Sequence, residues 1–347
     1  MESEEMLRVT VKDVGQGDCI VLEWKNLENE WEIGIIDCNI HPTQGISNLI
    51  KQVANYRKIA FLLLSHPHED HFSGMYDFLE YCKVQKISIK KIYHTSLFSK
   101  EYLQIISKKP LTAKEFIHAS TDEPKELKKL ILAFMEWEKL RETSVFAITN
   151  QTVFDIPNMP FSISCISPTD KEIGAFIRKL QPLQVILTDK TDSSSANLLS
   201  TVLYLNHEKW QVLLTSDAEK SSFRRIKKSH AGIYKPEVKK ELLVCQVPHH
   251  GSGINHAPDF WDSYIKINSV ISAGYNPIYK HPREEVVKYF NENSKRIDCT
   301  NDVHGYKDFF GSNVIDELSF IGIEQDFSVG KDIVIRIYQD GSSSVER

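Results

Sequence analysis

Phe61-Leu62-Leu63-Leu64-Ser65-His66-Pro67-His68-Glu69-Asp70-His71 joins the most apolar strand-like run of the chain to its densest group of metal-ligand side chains. Ile59 to Leu64 is short, continuous and apolar, the pattern of a strand buried on both faces. In an extended stretch alternate residues share a side, so His66 and His68 point together, and a turn at Asp70-His71 brings two further ligands round from the other direction. With 13 histidines and 20 aspartates in 347 residues, an H-x-H-x-D-H pattern arises by chance in about one such chain per thousand. A plain solvent-exposed loop is the bland alternative. It gives no reason for four such side chains to end the most apolar strand.

Two cations need more ligands than this loop carries, so others are expected at distant strand ends. Val212-Leu213-Leu214-Thr215-Ser216-Asp217 is an apolar strand ending in a carboxylate, and Leu243-Val244-Cys245-Gln246-Val247-Pro248-His249-His250 is another ending in paired histidines. A carboxylate can bridge two cations through its two oxygens, and an imidazole can complete a coordination shell. By itself Asp217 would read as a helix N-cap for Ala218-Glu219-Lys220. Asp37 ends Ile33-Gly34-Ile35-Ile36 in the same way, a place that suits a carboxylate holding a ligand histidine by its other nitrogen.

The order Asp37, then His66/His68/Asp70/His71, then Asp217, then His249/His250 resembles the motifs of the metallo-β-lactamase superfamily. Asp13-Val14-Gly15-Gln16-Gly17-Asp18-Cys19, Leu214-Thr215-Ser216-Asp217 and Val247-Pro248-His249-His250-Gly251-Ser252 are similar, more narrowly, to the hydrolase domain of ComEC-type competence proteins. The matching segments are 7–38, 59–76, 195–217, 243–282 and the terminal strand Ile333–Gly341. The resemblance implies an α/β protein, a four-layer αββα sandwich with the metal site at one edge of the two sheets. It implies two divalent ions, zinc first and manganese as the alternative. His66, His68 and Asp217 would serve one ion; Asp70, His71, Asp217 and one of His249/His250 would serve the other, with His249 favoured as the residue nearest the strand end. His250 and Asp37 are then supporting or alternative ligands.

Many superfamily members supply a further histidine to the first metal, where this chain has Ser195-Ala196-Asn197-Leu198-Leu199-Ser200. Asn197 is the candidate in its place, and a weaker first site is expected. Gly274-Tyr275-Asn276-Pro277-Ile278-Tyr279-Lys280-His281-Pro282 also resembles the ComEC-type pattern. There Asn276, Tyr279 and Lys280 are candidates to hold an anionic substrate group. His281, with Asp70 the candidate catalytic residue, could protonate a leaving oxygen, although a helix start at Pro282 explains the same residues.

The remaining organisation is simple. Strands are expected in 7–37, 145–148, 161–166, 199–205, 211–215, 242–247, 269–272 and 332–338, and helices at 47–56, 74–82, 173–180, 258–265 and 282–291. A Lys/Glu-rich helical pattern from 99 to 143 reads as an insertion within a single domain, 1–347. His94, His118 and His207 sit in contexts typical of packing or surface histidines. The six scattered cysteines form no C-x-x-C pair and read as reduced core residues. With an acidic start and no apolar run long enough to span a membrane, a cytoplasmic protein is expected.

A net charge of −5 gives no overall attraction to nucleic acid, although Arg224-Arg225-Ile226-Lys227-Lys228 could form a local patch. Three functions follow from these readings. The first is a phosphodiesterase or nuclease in which a dinuclear metal site activates water, acting on single-stranded DNA or another nucleic acid. The second replaces that substrate with a small ester, lactone, phosphorylated metabolite or cyclic nucleotide. The third is a metal-bound subunit that docks a protein partner through the 99–143 insertion.

Overall fold

Lys58–Leu64 is a strand, and its apolar run serves two cores at once. Phe61 and Leu63 enter the layer between two sheets, while Leu62 and Leu64 face a layer of helices on the other side. The computed structural model describes residues 3–95, 125–140, 142–180, 196–229, 240–276, 279–301 and 330–347.

In chain order the strands of the first half are β1 (Glu5–Val11), β2 (Ile20–Lys25), β3 (Trp31–Ile36), β4 (Lys58–Leu64), β5 (Ser88–Thr95), β6 (Ser144–Ile148) and β7 (Ser162–Ser167). Those of the second half are β8 (Val202–Asn206), β9 (Gln211–Leu214), β10 (Lys240–Gln246), β11 (Tyr264–Ile271), β12 (Ser294–Cys299), β13 (Ile333–Tyr338) and β14 (Ser343–Glu346). One sheet has the order β14-β13-β1-β2-β3-β4-β5-β6 and the other β12-β11-β10-β9-β8-β7. β3 to β6 run parallel, as do β9 to β12, so the carboxyl ends of both parallel sets can be brought to one rim. Such ends are where open α/β sheets place their ligands.

Helices close both outer faces. α1 (Ser47–Val53), α3 (Met75–Gln85) and α4 (Lys125–Lys139) pack Leu49, Val53, Phe78, Leu79, Leu130 and Phe134 on the first sheet; the single turn α2 (Glu69–Phe72) carries Asp70 and His71. α5 (Asp170–Leu180) adds Ile173 and Phe176 to the same cluster. α6 (Lys220–Ser229), α7 (Pro258–Trp261) and α8 (Glu284–Asn293) cover the second sheet with Phe223, Ile226, Phe260, Trp261, Val286 and Phe290. The result is a four-layer αββα sandwich, two sheets face to face with helices outside them. Between the sheets Phe61 meets Trp24 at 6.2 Å and Phe154 edge-on at 5.3 Å; truncating a buried phenylalanine of this kind to alanine costs about 3–5 kcal/mol.

Several elements differ from the sequence expectation. The helix expected over 258–265 stops at Trp261, because Tyr264 already pairs with Lys240 in the parallel ladder that runs to Val270. β5, β12 and β14 have no counterpart in the sequence reading. β5 carries Lys90 and Lys91 mid-strand, and its apolar residues gain cover from β4 and β6 alongside rather than from a clean local alternation. Of the 99–143 segment, residues 99–124 and 141 lie outside the described residues, as do His118 and 193–195. Its described helix, α4, lies in the outer layer between β5 and β6. Among the described residues no helix is long and apolar enough to cross a membrane.

Candidate metal centre

Each element ends on the rim with a side chain of the site. β4 runs into Ser65-His66, β3 into Asp37, β9 into Ser216-Asp217 and β10 into His249-His250, while the β1–β2 turn contributes Asp18. Backbone bonds pin the H-x-H-x-D-H loop from two sides: Asp18 N–H donates to Asp70 O at 3.0 Å and Cys38 N–H to His71 O at 2.8 Å. Gly17 has φ 129, and a Cβ there would stand 2.2 Å from the Asp70 carbonyl oxygen, so glycine is required for this approach. Asp37, Ser216, His249 and His250 all lie in the left-handed region, with φ 58, 46, 50 and 54. Such non-glycine conformations are held only by their surroundings and gather at functional sites.

Asp217 is the centre of the arrangement. Its Oδ2 faces His66 Nε2 at 3.7 Å and His249 Nε2 at 3.5 Å. Its Oδ1 faces His71 Nε2 at 3.4 Å and His250 Nε2 at 3.5 Å. Asp70 closes the second side, with Oδ2 at 3.3 Å from His250 Nε2 and Oδ1 at 3.8 Å from His71 Nε2. His68 turns Nδ1 toward His66 Nε2 at 2.9 Å.

The donor set fits divalent cations. Donors around a tetrahedral zinc, each ~2.0–2.1 Å from the ion, stand about 3.4 Å apart, close to the spacings around Asp217 and Asp70. His71 Nε2, His250 Nε2 and Asp217 Oδ1 are buried and make no hydrogen bond, a costly state unless a cation takes them up. His66, His71 and Asp217 form one group able to hold an ion, and Asp70, His71 and His250 another.

The supporting contacts turn the right nitrogens inward. Asp37 Oδ2 is 2.7 Å from His71 Nδ1 and accepts from Ser65 Oγ at 2.6 Å, while Asp37 Oδ1 accepts from Ser65 N–H at 2.7 Å. The Ser272 carbonyl, 2.8 Å from His250 Nδ1, accepts its proton and leaves Nε2 for the site. Ser65 Oγ and Ser216 Oγ, bonded across the two sheets at 2.8 Å, both reach His66 Nδ1.

Electrostatics follows from burying several carboxylates with several imidazoles. Burial, then the charges of His71 and His68, holds His66 well below the ordinary imidazole value. Burial works the same way on His71 and His250, but there the carboxylates win: Asp217, Asp37 and Asp70 hold His71 well up, and Asp217, Asp70 and Asp18 raise His250 to about 9. Against the pull of burial, His71 and His250 bring Asp70 down to about 2. Protons on His71 and His250 thus neutralise carboxylates that a cation would otherwise neutralise.

The sequence candidates separate into three sets. His66, His68, Asp70, His71, Asp217, His249 and His250 converge, but it is His250, not the favoured His249, that stands beside Asp70 and His71. Asp37 and Asn197 stand behind them; Asn197 is buried, with Nδ2 3.4 Å from His249 Nδ1. His281 lies next to the cluster, its ring 5.5 Å from that of His249 and stacked on Tyr279. Burial, with the charges of His249 and His250, lowers it to about 3, so it is a neutral hydrogen-bonding imidazole as placed. Tyr279 and Lys280 are exposed beside it; Asn276 spends Oδ1 on Tyr279 N–H, closing the turn that carries them.

Asp18 is the residue the sequence reading did not assign. It is buried, accepts from Gln246 Nε2 at 2.7 Å, and lies 3.7 Å from His250 Nδ1. Gln246 Oε1 in turn accepts from the backbone of Thr215 and Ser216, so one amide ties the β1–β2 turn to the loop bearing Asp217. The signal for Asp18 was its place in the Asp13–Cys19 turn, one of the segments that carry the resemblance.

No family model matches the chain. Over 121 residues, 35% of the chain, it is 29% identical to ComE operon protein 3 of Bacillus subtilis (strain 168), and it spans 15% of that protein's length. Among solved structures it is similar to the metallo-β-lactamase fold protein YhfI of Bacillus subtilis, with 10% identity, TM-score 0.46 and coverage of 84% of this chain and 96% of that one. It is also similar to yeast PDE1, with 12% identity, TM-score 0.46 and coverage of 86% and 98%. A third is the long form of RNase Z from yeast, with 10% identity, TM-score 0.41 and coverage of 86% and 40%.

Proposed function

We propose that this protein is a metal-dependent hydrolase of phosphodiester bonds, acting on nucleic acid. The observation that carries the reading is Asp217, whose two buried oxygens each face a different pair of imidazoles, with the inward nitrogens of His71 and His250 making no hydrogen bond. Divalent cations held by these residues would supply Lewis acidity and make water acidic enough to attack near neutral pH, so no side-chain nucleophile is required.

The chain's own residues do the rest. Asp37, Ser65, Ser216 and the Ser272 carbonyl keep the ligand imidazoles in one orientation. His281, buried beside His249, would hydrogen-bond the leaving oxygen. Lys280, Arg283, Tyr275 and Tyr279 are exposed in and just after the same loop, a combination of cations and rings that suits a phosphate backbone and its bases. That loop is anchored on the Asp13–Asp18 turn, because a Cβ on Gly274 would lie 2.3 Å from the Gly15 carbonyl carbon. Nucleic acid is favoured over a small ester by the resemblance to the hydrolase domain of ComEC-type competence proteins, which is associated with DNA degradation.

The test is turnover by purified protein, supplied with Mn²⁺ or Zn²⁺, on bis-p-nitrophenyl phosphate, single-stranded DNA and a panel of carboxylic esters. Cleavage of the first two, lost in Asp70→Ala and His71→Ala, is expected. Cleavage of esters alone would overturn the substrate class, and bound metal without turnover on any of them would overturn the hydrolase reading.

A further inference from the structure

The paired histidines are neighbours in sequence, yet both reach the site. In an extended chain adjacent side chains point to opposite faces, and only one of the two could do so. Here both residues are left-handed, His249 with φ 50 and ψ 51 and His250 with φ 54 and ψ 22, and their rings stand 5.9 Å apart at 81°. His249 N–H donates to the Ser216 carbonyl at 3.0 Å, which seats the turn directly on the Asp217 loop. The two Nε2 atoms then meet different oxygens of Asp217, His249 at Oδ2 and His250 at Oδ1.

We propose that the two histidines serve different cations, and that Asn197 is a positioning residue for the first of them. His249 completes the group of His66 Nε2, His68 Nδ1 and Asp217 Oδ2; His250 completes that of Asp70, His71 and Asp217 Oδ1. Asn197 is buried behind the cluster and reaches His249 Nδ1 with its amide at 3.4 Å. The oxygen and nitrogen of an amide exchange places by one rotation; with Oδ1 turned to it, Nδ1 carries the proton and Nε2 is the ligand. The inference rests on the metal-dependent reading above.

It is tested by metal stoichiometry and by the visible spectrum of the Co²⁺-loaded protein, with no recourse to turnover. Wild type, His249→Ala, His250→Ala, Asn197→Leu and Asn197→Asp are dialysed against Zn²⁺ or Co²⁺ and analysed for bound metal. Two ions are expected in wild type and one in each histidine variant, with different Co²⁺ spectra for the two remaining sites. Asn197→Leu should weaken one ion by roughly 10- to 100-fold, and Asn197→Asp, which restores an acceptor to Nδ1, should recover it. Wild type without metal would sink the metal-dependent reading itself. Two ions retained in folded His249→Ala, or the same spectrum from both histidine variants, would leave that reading standing and overturn this one.

Discussion

Oδ2 of Asp37 lies 2.7 Å from Nδ1 of His71, with both side chains inaccessible to solvent. That contact settles which nitrogen of His71 is free to face Asp70 and Asp217. Asp37 also accepts from the amide and hydroxyl of Ser65, so a single carboxylate satisfies three donors at the base of the site.

Asp37→Ala therefore strands three buried donors, at roughly 1–3 kcal/mol for each left unpaired. A fall in Tm is expected together with a roughly 10- to 100-fold loss in affinity for one cation. Calorimetric titration of Zn²⁺ into the metal-free variant checks it; unchanged affinity would mean that His71 is oriented by something else.

Gly17→Ala should act on the same loop from the other side. Its φ of 129 and the 2.2 Å approach of the added Cβ to Asp70 O leave no room without moving the loop, and strain of this kind costs about 1–3 kcal/mol. Chemical denaturation measures the loss. An alanine variant as stable as wild type, with metal binding intact, would show that the Asp18–Asp70 approach is not needed.

Cation binding should release protons and strengthen as pH rises. His71 is held above the ordinary imidazole value by Asp217, Asp37 and Asp70 against the effect of burial, and His250 in the same way at about 9. His250 carries a proton at neutral pH that a cation displaces, and the carboxylates around His71 hold its proton to higher pH than a free imidazole keeps it, so affinity climbs as pH rises through the raised values of both. Titrating Zn²⁺ in buffers of different ionisation enthalpy should reveal roughly two protons released for two ions bound. No dependence on the buffer would contradict the charge balance described for the site.

His94 gives a pH dependence of stability apart from the metal centre. It is the last residue but one of β5, stacks on Phe134 at 6.3 Å, and is lowered by burial from 6.5 to about 4. The folded state resists a proton that the unfolded state accepts. Its contribution is therefore complete above about pH 6.5 and declines as pH falls toward 4, by about 3 kcal/mol in the limit. His94→Phe should flatten that part of the stability curve when urea unfolding is followed from pH 4 to 7. Parallel curves for the two proteins would refute the assignment.

How much of this was legible in the sequence depends on the range over which each feature is decided. The continuous apolar run of β4, the His66–His71 cluster and the carboxylate ending β9 are local patterns, so residues 59–71 and 212–217 declared a two-faced buried strand and a set of ligands without help from the fold. The αββα layering was an expectation that came with the resemblance carried by the ordered motifs, not from the apolar pattern of any one strand.

β5, β12 and β14 were not legible, because their apolar surface is covered by neighbouring strands and their own alternation is weak. Nor was the division between His249 and His250, which depends on two consecutive left-handed residues where an extended strand end was assumed. Asp18 escaped because its partner Gln246 lies 228 residues away. Ser65 and Ser216 meet across 151 residues of chain for the same reason. Side-chain type and strand periodicity are properties of a few consecutive residues, and the sequence by itself determined them. Which nitrogen faces which oxygen is set by how the two sheets close on each other, and only the tertiary structure could decide it.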